Sequence, residues 1–309
     1  MQKNTNPKTI LICGLGIIGG SLAKAIKAYT PHRVLGMNRS PEPLRQALAC
    51  GAIDAPALEE DLPNVDIAFL CAYPAACVTW AEKLGPHLKK GCIVCDACGI
   101  KTAICEQLTA ISHRYGFIFV GGHPMAGKER NGFEASDGAL FQNASYILVP
   151  CDAPDEAVEE VKALALSLGF GSVTLSDPKH HDRMIAYTSQ LPHVLACAYV
   201  RSPSCPQHRG FSAGSYHDVS RVARINETMW TELFLENREP LLTELDLLIT
   251  HLQEYRRALA QEDADTLRAM MKQARLTKEE LAVSLEFLLF LYFEQVSSKF
   301  GRNQDMHLQ

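Results

Sequence analysis

Three glycines in the order Gly14-Leu15-Gly16-Ile17-Ile18-Gly19 follow the apolar run Thr9–Cys13 and open a helical pattern. Between a strand and a helix this spacing has a physical use. Gly14 permits a tight turn, Gly16 lets the backbone approach a pyrophosphate, and Gly19 lets helix and strand pack closely. The helix N-terminus then offers free N–H groups and partial positive charge to the phosphates. Gly14, Leu15, Gly16, Ile17, Ile18 and Gly19 are therefore candidate dinucleotide-binding residues. At the end of the next strand candidate, Arg33–Met37, an acidic residue would bind a ribose 2′-hydroxyl. Asn38, Arg39 and Ser40 stand there instead. Asn38 carries no charge to repel a 2′-phosphate and Arg39 can pair with one, so NADP is expected over NAD. Ala72 and Tyr73, at the end of strand candidate Ile67–Ala72, and Asp96, at the end of Cys92–Asp96, complete the cofactor-binding candidates.

A dinucleotide that takes hydride from an alcohol leaves a hydroxyl proton to be managed, and an anionic substrate needs a cation. Histidine suits the first task better than a carboxylate beside an anion. His123 lies in Gly121-Gly122-His123-Pro124-Met125-Ala126-Gly127, after strand candidate Phe117–Gly121. That is the sheet edge where open α/β sheets bind ligands, and the flanking glycines and proline fix its backbone. Two Cys-x-x-Cys spacings, Cys92/Cys95 and Cys95/Cys98, lack the second pair or histidines that zinc requires, so no metal is expected.

The elements that must hold these residues alternate through the first half of the chain. Strand candidates Ser145–Pro150 and Ser172–Leu175 follow those already named, and helical patterns cover Gly19–Tyr29, Pro41–Cys50, Lys101–Tyr115 and Asp155–Leu168. This reads as an α/β Rossmann-like dinucleotide-binding domain with a mostly parallel sheet over residues 1–177. After Asp177 strands are no longer expected. Helices are predicted over His181–Val200, Val219–Arg238, Leu241–Ala260 and Asp263–Ala282, with a loop at Ser202–Ser215. The second domain, 178–285, is thus all-α, and 286–309 reads as a C-terminal tail. Its apolar helix faces exceed what a small bundle buries alone, which predicts a homodimer through the helical domain.

The segment from Gly121 continues through Lys128-Glu129-Arg130-Asn131-Gly132-Phe133 to Leu140-Phe141. Together these resemble the HPMAG signature of the prephenate dehydrogenase family. A second block, His181-Asp182-Arg183, Ala186 and Ser189-Gln190-Leu191-Pro192-His193, is similar to the same family. So is a third, Asp218-Val219-Ser220-Arg221-Val222-Ala223, with Trp230 and Asn237 behind it. The resemblance spans about residues 8–280. It implies NAD(P)-linked oxidative decarboxylation of prephenate to 4-hydroxyphenylpyruvate, in tyrosine biosynthesis.

By the same resemblance His123 polarises the substrate's ring hydroxyl, His193 lines the cleft as a second catalytic residue, and Arg221 grips a carboxylate. Gly99 stands where the family commonly has serine, Gln190 where histidine is frequent, and Lys128 where a small hydroxyl residue is usual. These three are taken as substrate-binding positions. Glu129 is a candidate to face the amine of arogenate, which keeps arogenate dehydrogenase open as an alternative. A 3-hydroxyacid dehydrogenase of similar layout, or an NAD(P)-sensing regulatory protein with Cys95 and Cys98 as its switch, are the remaining alternatives.

Composition limits the rest. The 309 residues are 47% hydrophobic and 21% charged, with a formal net charge of -5. This argues against a nucleic-acid-binding surface. The most apolar stretch, Leu281–Phe293, contains Glu286 and is shorter than the roughly 20 residues of a membrane span. Eleven cysteines without an export signal suggest a reducing, cytoplasmic setting.

Overall fold

In β1 (Thr9–Cys13), Ile10 and Ile12 face one side of a sheet while Leu11 and Cys13 face the other, and all four are fully buried. Strands apolar on both faces must be covered twice, and they are. The computed structural model describes residues 6–128 and 130–281. After β1 come α1 (Ile17–Tyr29), β2 (Arg33–Met37), α2 (Pro41–Ala49), β3 (Ala55–Pro56), β4 (Ile67–Leu70), α3 (Pro74–Leu84) and β5 (Ile93–Asp96). Then follow α4 (Thr102–Tyr115), β6 (Ile118–Pro124), β7 (Ser145–Val149), α5 (Asp155–Ser167) and β8 (Ser172–Leu175). The sheet order is β3-β2-β1-β4-β5-β6-β7-β8. α1 and α5 pack on one face, through Leu22, Ile26, Val158 and Val161. α3 and α4 pack on the other, through Cys77, Leu84, Ile104 and Leu108.

The seven expected strands form, and a short edge strand, β3, joins them. Two residues are too few to show an alternating pattern, so nothing in the chain announces β3. The sheet is parallel from β3 to β6 and then reverses. β6 pairs in parallel with β5 through Ile118–Val120, and antiparallel with β7 through Gly121–Pro124. His123 lies in that second half, opposite Ile147 and beyond the end of β5. Gly122 is required there, because a Cβ would sit 2.5 Å from Tyr146 Oη and 2.7 Å from the Asp96 carbonyl oxygen.

From residue 178 the described elements are all helical, with turns and a short 3-10 helix, Cys205–Gln207, in the expected loop between residues 201 and 213. α6 (Pro178–Ile185) runs into a π-helical turn, Ala186–Gln190, and then α7 (Leu191–Val200). Pro192 explains the wider turn: a proline two residues into α7 cannot donate to the carbonyl four residues before it, and its ring crowds that carbonyl. The single helix expected over Val219–Arg238 is broken. α8 (Gly214–Ser220) passes through a 3-10 turn at Arg221–Ala223, and α9 (Glu227–Glu236) starts afresh. Asn226 causes the restart by capping α9, its Oδ1 accepting the Met229 N–H at 3.0 Å. α10 covers Arg238–Ala260, and residues 264–281 are helical. The chain divides into two compact units, one ending at Glu244 and one beginning at Leu245. Among the described residues no helix is long and apolar enough to cross a membrane. Most of the Leu281–Phe293 stretch and the 286–309 tail lie outside the described residues.

At the centre of the first unit Lys101 Nζ meets Asp96 Oδ2 at 2.6 Å, and neither side chain has any exposed surface. The ammonium also donates to the carbonyls of Cys98 and Ile100, and the carboxylate accepts the N–H groups of Cys98 and Gly122. Burial alone would depress the lysine's pKa, but the adjacent Asp96 carboxylate raises it above the ordinary value. Lys101→Met strands a buried carboxylate, so a loss of about 3–5 kcal/mol is expected in urea unfolding. Pairing it with Asp96→Asn should return part of that loss. A single variant as stable as the parent would show that the pair is dispensable.

Candidate active site

Gly14 adopts φ +96, and its N–H donates to the Met37 carbonyl at 2.8 Å. A Cβ on Gly19 would lie 1.9 Å from the Gly14 carbonyl oxygen, so the turn and the first turn of α1 exclude side chains at both positions. At Gly16 a Cβ would meet nothing within 4 Å. Gly16 is also the N-cap of α1, which has no side-chain cap and no acidic residue in its first turn. An uncapped helix start, open space beside it and no competing anion together fit a bound pyrophosphate.

Asn38 has a different task from the one expected. Its Oδ1 accepts the Leu15 N–H at 2.9 Å and its Nδ2 donates to the Ser40 carbonyl, so its amide braces the glycine turn. Arg39 and Ser40 are exposed next to it, and Arg39 makes no ion pair among the described residues. Ala72 and Tyr73 follow β4, with Tyr73 exposed as the N-cap of α3. Asp96, expected to bind cofactor, is corrected to a structural residue, because its carboxylate is wholly taken up by Lys101, Cys98 and Gly122.

A cleft of about 900 Å³ opens beside α1. Ile17 and Ile18 of α1, Gly99, His123, Lys128, Gln190, His193 and Arg221 all line it, so residues far apart in the chain meet as expected. Three of them carry qualifications. Lys128 is paired with Asp137 at 3.2 Å. Gln190 is buried and uses both amide ends, accepting from Asn237 Nδ2 at 2.7 Å and donating to the Leu233 carbonyl at 3.1 Å. Its amide thus braces neighbouring helices while the residue still lines the cleft. Gly99 leaves room, since an added Cβ would stand 3.7 Å from Leu233 and 3.9 Å from His123 Nε2, both ordinary contacts. Glu129 lies outside the described residues.

His193 stacks on Trp230 with ring centroids 3.8 Å apart, and its Nδ1 is 2.7 Å from the Ser189 carbonyl oxygen. A carbonyl only accepts, so Nδ1 carries the proton and Nε2 is left as an acceptor. Burial lowers the His193 pKa, and Arg221 adds to the effect. His123 lies far below the usual imidazole range, because it is buried and faces the positive charge of Lys101 and the ring of His181. It is a neutral group over the range where ordinary histidines titrate.

Two residues of the second block sit behind His123 without having been assigned a role. His123 Nδ1 is 2.9 Å from His181 Nε2, and His181 Nδ1 is 2.8 Å from Asp182 Oδ1. Asp182 also accepts the N–H groups of Lys101 and Thr102, each at 2.7 Å, at the start of α4. Burial opposes its charge, but the bonds from His181, Thr102 and Lys101 hold its carboxyl below the usual carboxylate range. Burial lowers the His181 pKa too, against the pull of Asp182. The adjacent His and Asp near the start of α6 are the available signal, and only the folded chain shows their target.

The Cys95–Cys98 switch considered from spacing has no counterpart here, since Cys98 Sγ lies 3.6 Å from Cys77 Sγ and both Cys95 and Cys98 are buried. Among the described residues no cluster of three or more metal-ligating side chains forms.

Comparison with known proteins agrees with this geometry. The family profile for the prephenate dehydrogenase nucleotide-binding domain matches residues 22–173, and that for the prephenate dehydrogenase dimerization domain matches residues 177–273. A cyclohexadienyl dehydrogenase of Zymomonas mobilis is 33% identical over 90% of this chain and 97% of its own. A prephenate dehydrogenase of Bacillus subtilis is 31% identical over 88% of this chain and 76% of its own. The crystal structure of prephenate dehydrogenase from A. aeolicus with hydroxyphenyl propionate and NAD+ superposes with TM-score 0.80. It is 26% identical and covers 90% of this chain and 100% of that one.

Among the depressed imidazoles, His123 and His181 carry a pH signature. Below their ordinary value of 6.5 the unfolded chain binds protons that the folded chain refuses. The benefit of burying them neutral is complete above that value and is lost as pH falls toward the folded-state values. Urea midpoints should therefore drop between about pH 7 and about pH 5.5, and a flat profile across that window would contradict the neutral assignment.

Proposed function

The chain belongs to the prephenate dehydrogenase family, and from that premise we propose that it converts prephenate to 4-hydroxyphenylpyruvate and CO2. The glycine turn and the start of α1 would hold the nicotinamide dinucleotide, which would supply the hydride acceptor. What carries the reading is one cleft. His123 and the first residues of α1 line it together with Arg221 and His193 from the helical elements.

In that cleft His123 accepts a hydrogen bond from the substrate's ring hydroxyl and draws charge onto the oxygen as the C–H electron pair departs. The electrons of the breaking C–CO2 bond then make the ring aromatic, so no net proton is taken up or released. A neutral His123 is the form that can accept, and its depressed pKa supports the role. Arg221 presents a planar fork suited to a substrate carboxylate. His193, with Nε2 left as an acceptor and its ring stacked on Trp230, shapes the same cleft. The preference for NADP rests on Arg39, exposed beside the end of β2, where it can meet a 2′-phosphate.

The proposed organisation is a dinucleotide-binding part over 1–177 and a second part, 178–285, that pairs two copies; the profile matches over 22–173 and 177–273 support it. Leu247, Leu252, Leu259, Met271 and Leu276 are exposed on the helices from residue 245 on, which supports pairing through them. Sedimentation at micromolar concentration should give a dimer, and a monomer would remove this part of the reading.

Activity is tested by following absorbance at 340 nm with prephenate or arogenate against NADP or NAD. Prephenate with NADP is expected to give the highest kcat/KM; a clear preference for NAD would overturn the Arg39 argument, and arogenate alone would overturn the substrate. In the same assay His123→Asn should fold and bind dinucleotide but lose roughly 10²–10⁴ in kcat. Arg221→Leu should mainly raise KM.

A further inference from the structure

Behind His123 runs a line of groups whose order dictates where each proton sits. Asp182 takes two backbone N–H bonds at the start of α4 and is acceptor-only when ionised. The nitrogen facing it, His181 Nδ1 at 2.8 Å, must therefore carry a proton. A neutral His181 then has a lone pair at Nε2. The atom 2.9 Å from that lone pair, His123 Nδ1, must be the donor. The proton of His123 is thus held on Nδ1, and Nε2, the nitrogen on the Gly99 side of the ring, is left bare toward the cleft.

We propose that His181 and Asp182 are positioning residues that fix His123 in its Nδ1–H tautomer, so that Nε2 is always presented as the acceptor. The proposal deepens the reading of His123 as the group that takes the substrate's hydroxyl hydrogen bond, and rests on it for its kinetic consequence. Its tautomeric content stands apart. Free imidazole side chains favour the opposite tautomer, with the proton on Nε2, which would turn a donor toward a hydroxyl that must donate.

The bracing is built from several elements. Asp182 is tied to α4 through Lys101 and Thr102, and its carbonyl accepts from Asn237 Nδ2 at 2.9 Å. Asn237 also donates to Gln190, which bonds to the Leu233 carbonyl. His181 has no exposed side-chain surface and cannot exchange Asp182 for water. The other charged pair nearby, Lys101 with Asp96, is satisfied internally and offers His181 no competing acceptor.

The test is the tautomer itself, read by nitrogen NMR on the full chain labelled in histidine, without substrate. In the parent protein the His123 Nε2 signal should be of the unprotonated type. His181→Leu removes the acceptor, and His123 should move toward Nε2–H, with kcat falling roughly 100-fold or more and KM little changed. His181→Gln places an amide oxygen near the lost Nε2, so the Nδ1–H tautomer should persist and kcat should stay within about tenfold of the parent. Dinucleotide binding and the urea midpoint report whether each variant folds, and the Gln variant keeps the test open where Leu does not. A parent His123 protonated on Nε2, or a folded Leu variant with unchanged tautomer, would overturn the proposal. Loss of the tautomer in a chain inactive on prephenate would instead spare the relay and sink the substrate assignment.

Discussion

Everything around the cleft depends on a buried charge that is answered on every side. Lys101 and Asp96 lie in the interior, where a single unpaired charge would cost several kcal/mol. Their partners make them useful. Asp96 holds the Gly122 N–H, one residue before His123, and the Cys98 N–H, one residue before Gly99. Lys101 holds the carbonyls of the same loop and leads into α4. The pair thus fixes the end of β5, the second half of β6 and the loop between β5 and α4 in one frame. The positive charge of Lys101 also reaches His123 and helps keep it neutral. One interaction serves packing and chemistry together.

Most of the sheet was legible because its strands are short apolar runs punctuated by glycine, proline and polar residues. Four helices and seven strands of the nucleotide-binding part fall within a few residues of their expected ends. The helical part was legible in type but not in detail. Asn226 capping a new helix cannot be told from a polar residue on the face of a continuing one until the chain has turned. The cleft was legible only through the joint pattern of three blocks. His123, His193 and Arg221 are separated by 70 and 28 residues of sequence, and no local periodicity brings them to one cleft.

What sequence could not supply was the direction of side chains. Asp96 has the right type and place to touch a ligand but is consumed by neighbours, and Gln190 lines the cleft while its amide also ties two helices. Asn38, chosen for its lack of charge, serves mainly as a brace. His181 and Asp182 went the other way, from matched letters in a block to the groups that touch the central imidazole. In each case the deciding fact is a hydrogen-bond partner distant in the chain. Burial makes such partners obligatory without naming them.

The π-helical turn at Ala186–Gln190 has a rotational meaning. It inserts one residue between the stretch of helix that carries His181 and the stretch that carries His193. Each residue of an α-helix advances the face by about 100°. Closing the bulge into regular helix would swing everything beyond it by about that angle. His193 would leave its stack on Trp230 while His181 stayed in place. The extra residue works as a phase shifter, letting one continuous rod set one imidazole behind His123 and turn another into the cleft, from stretches that a uniform screw would point apart.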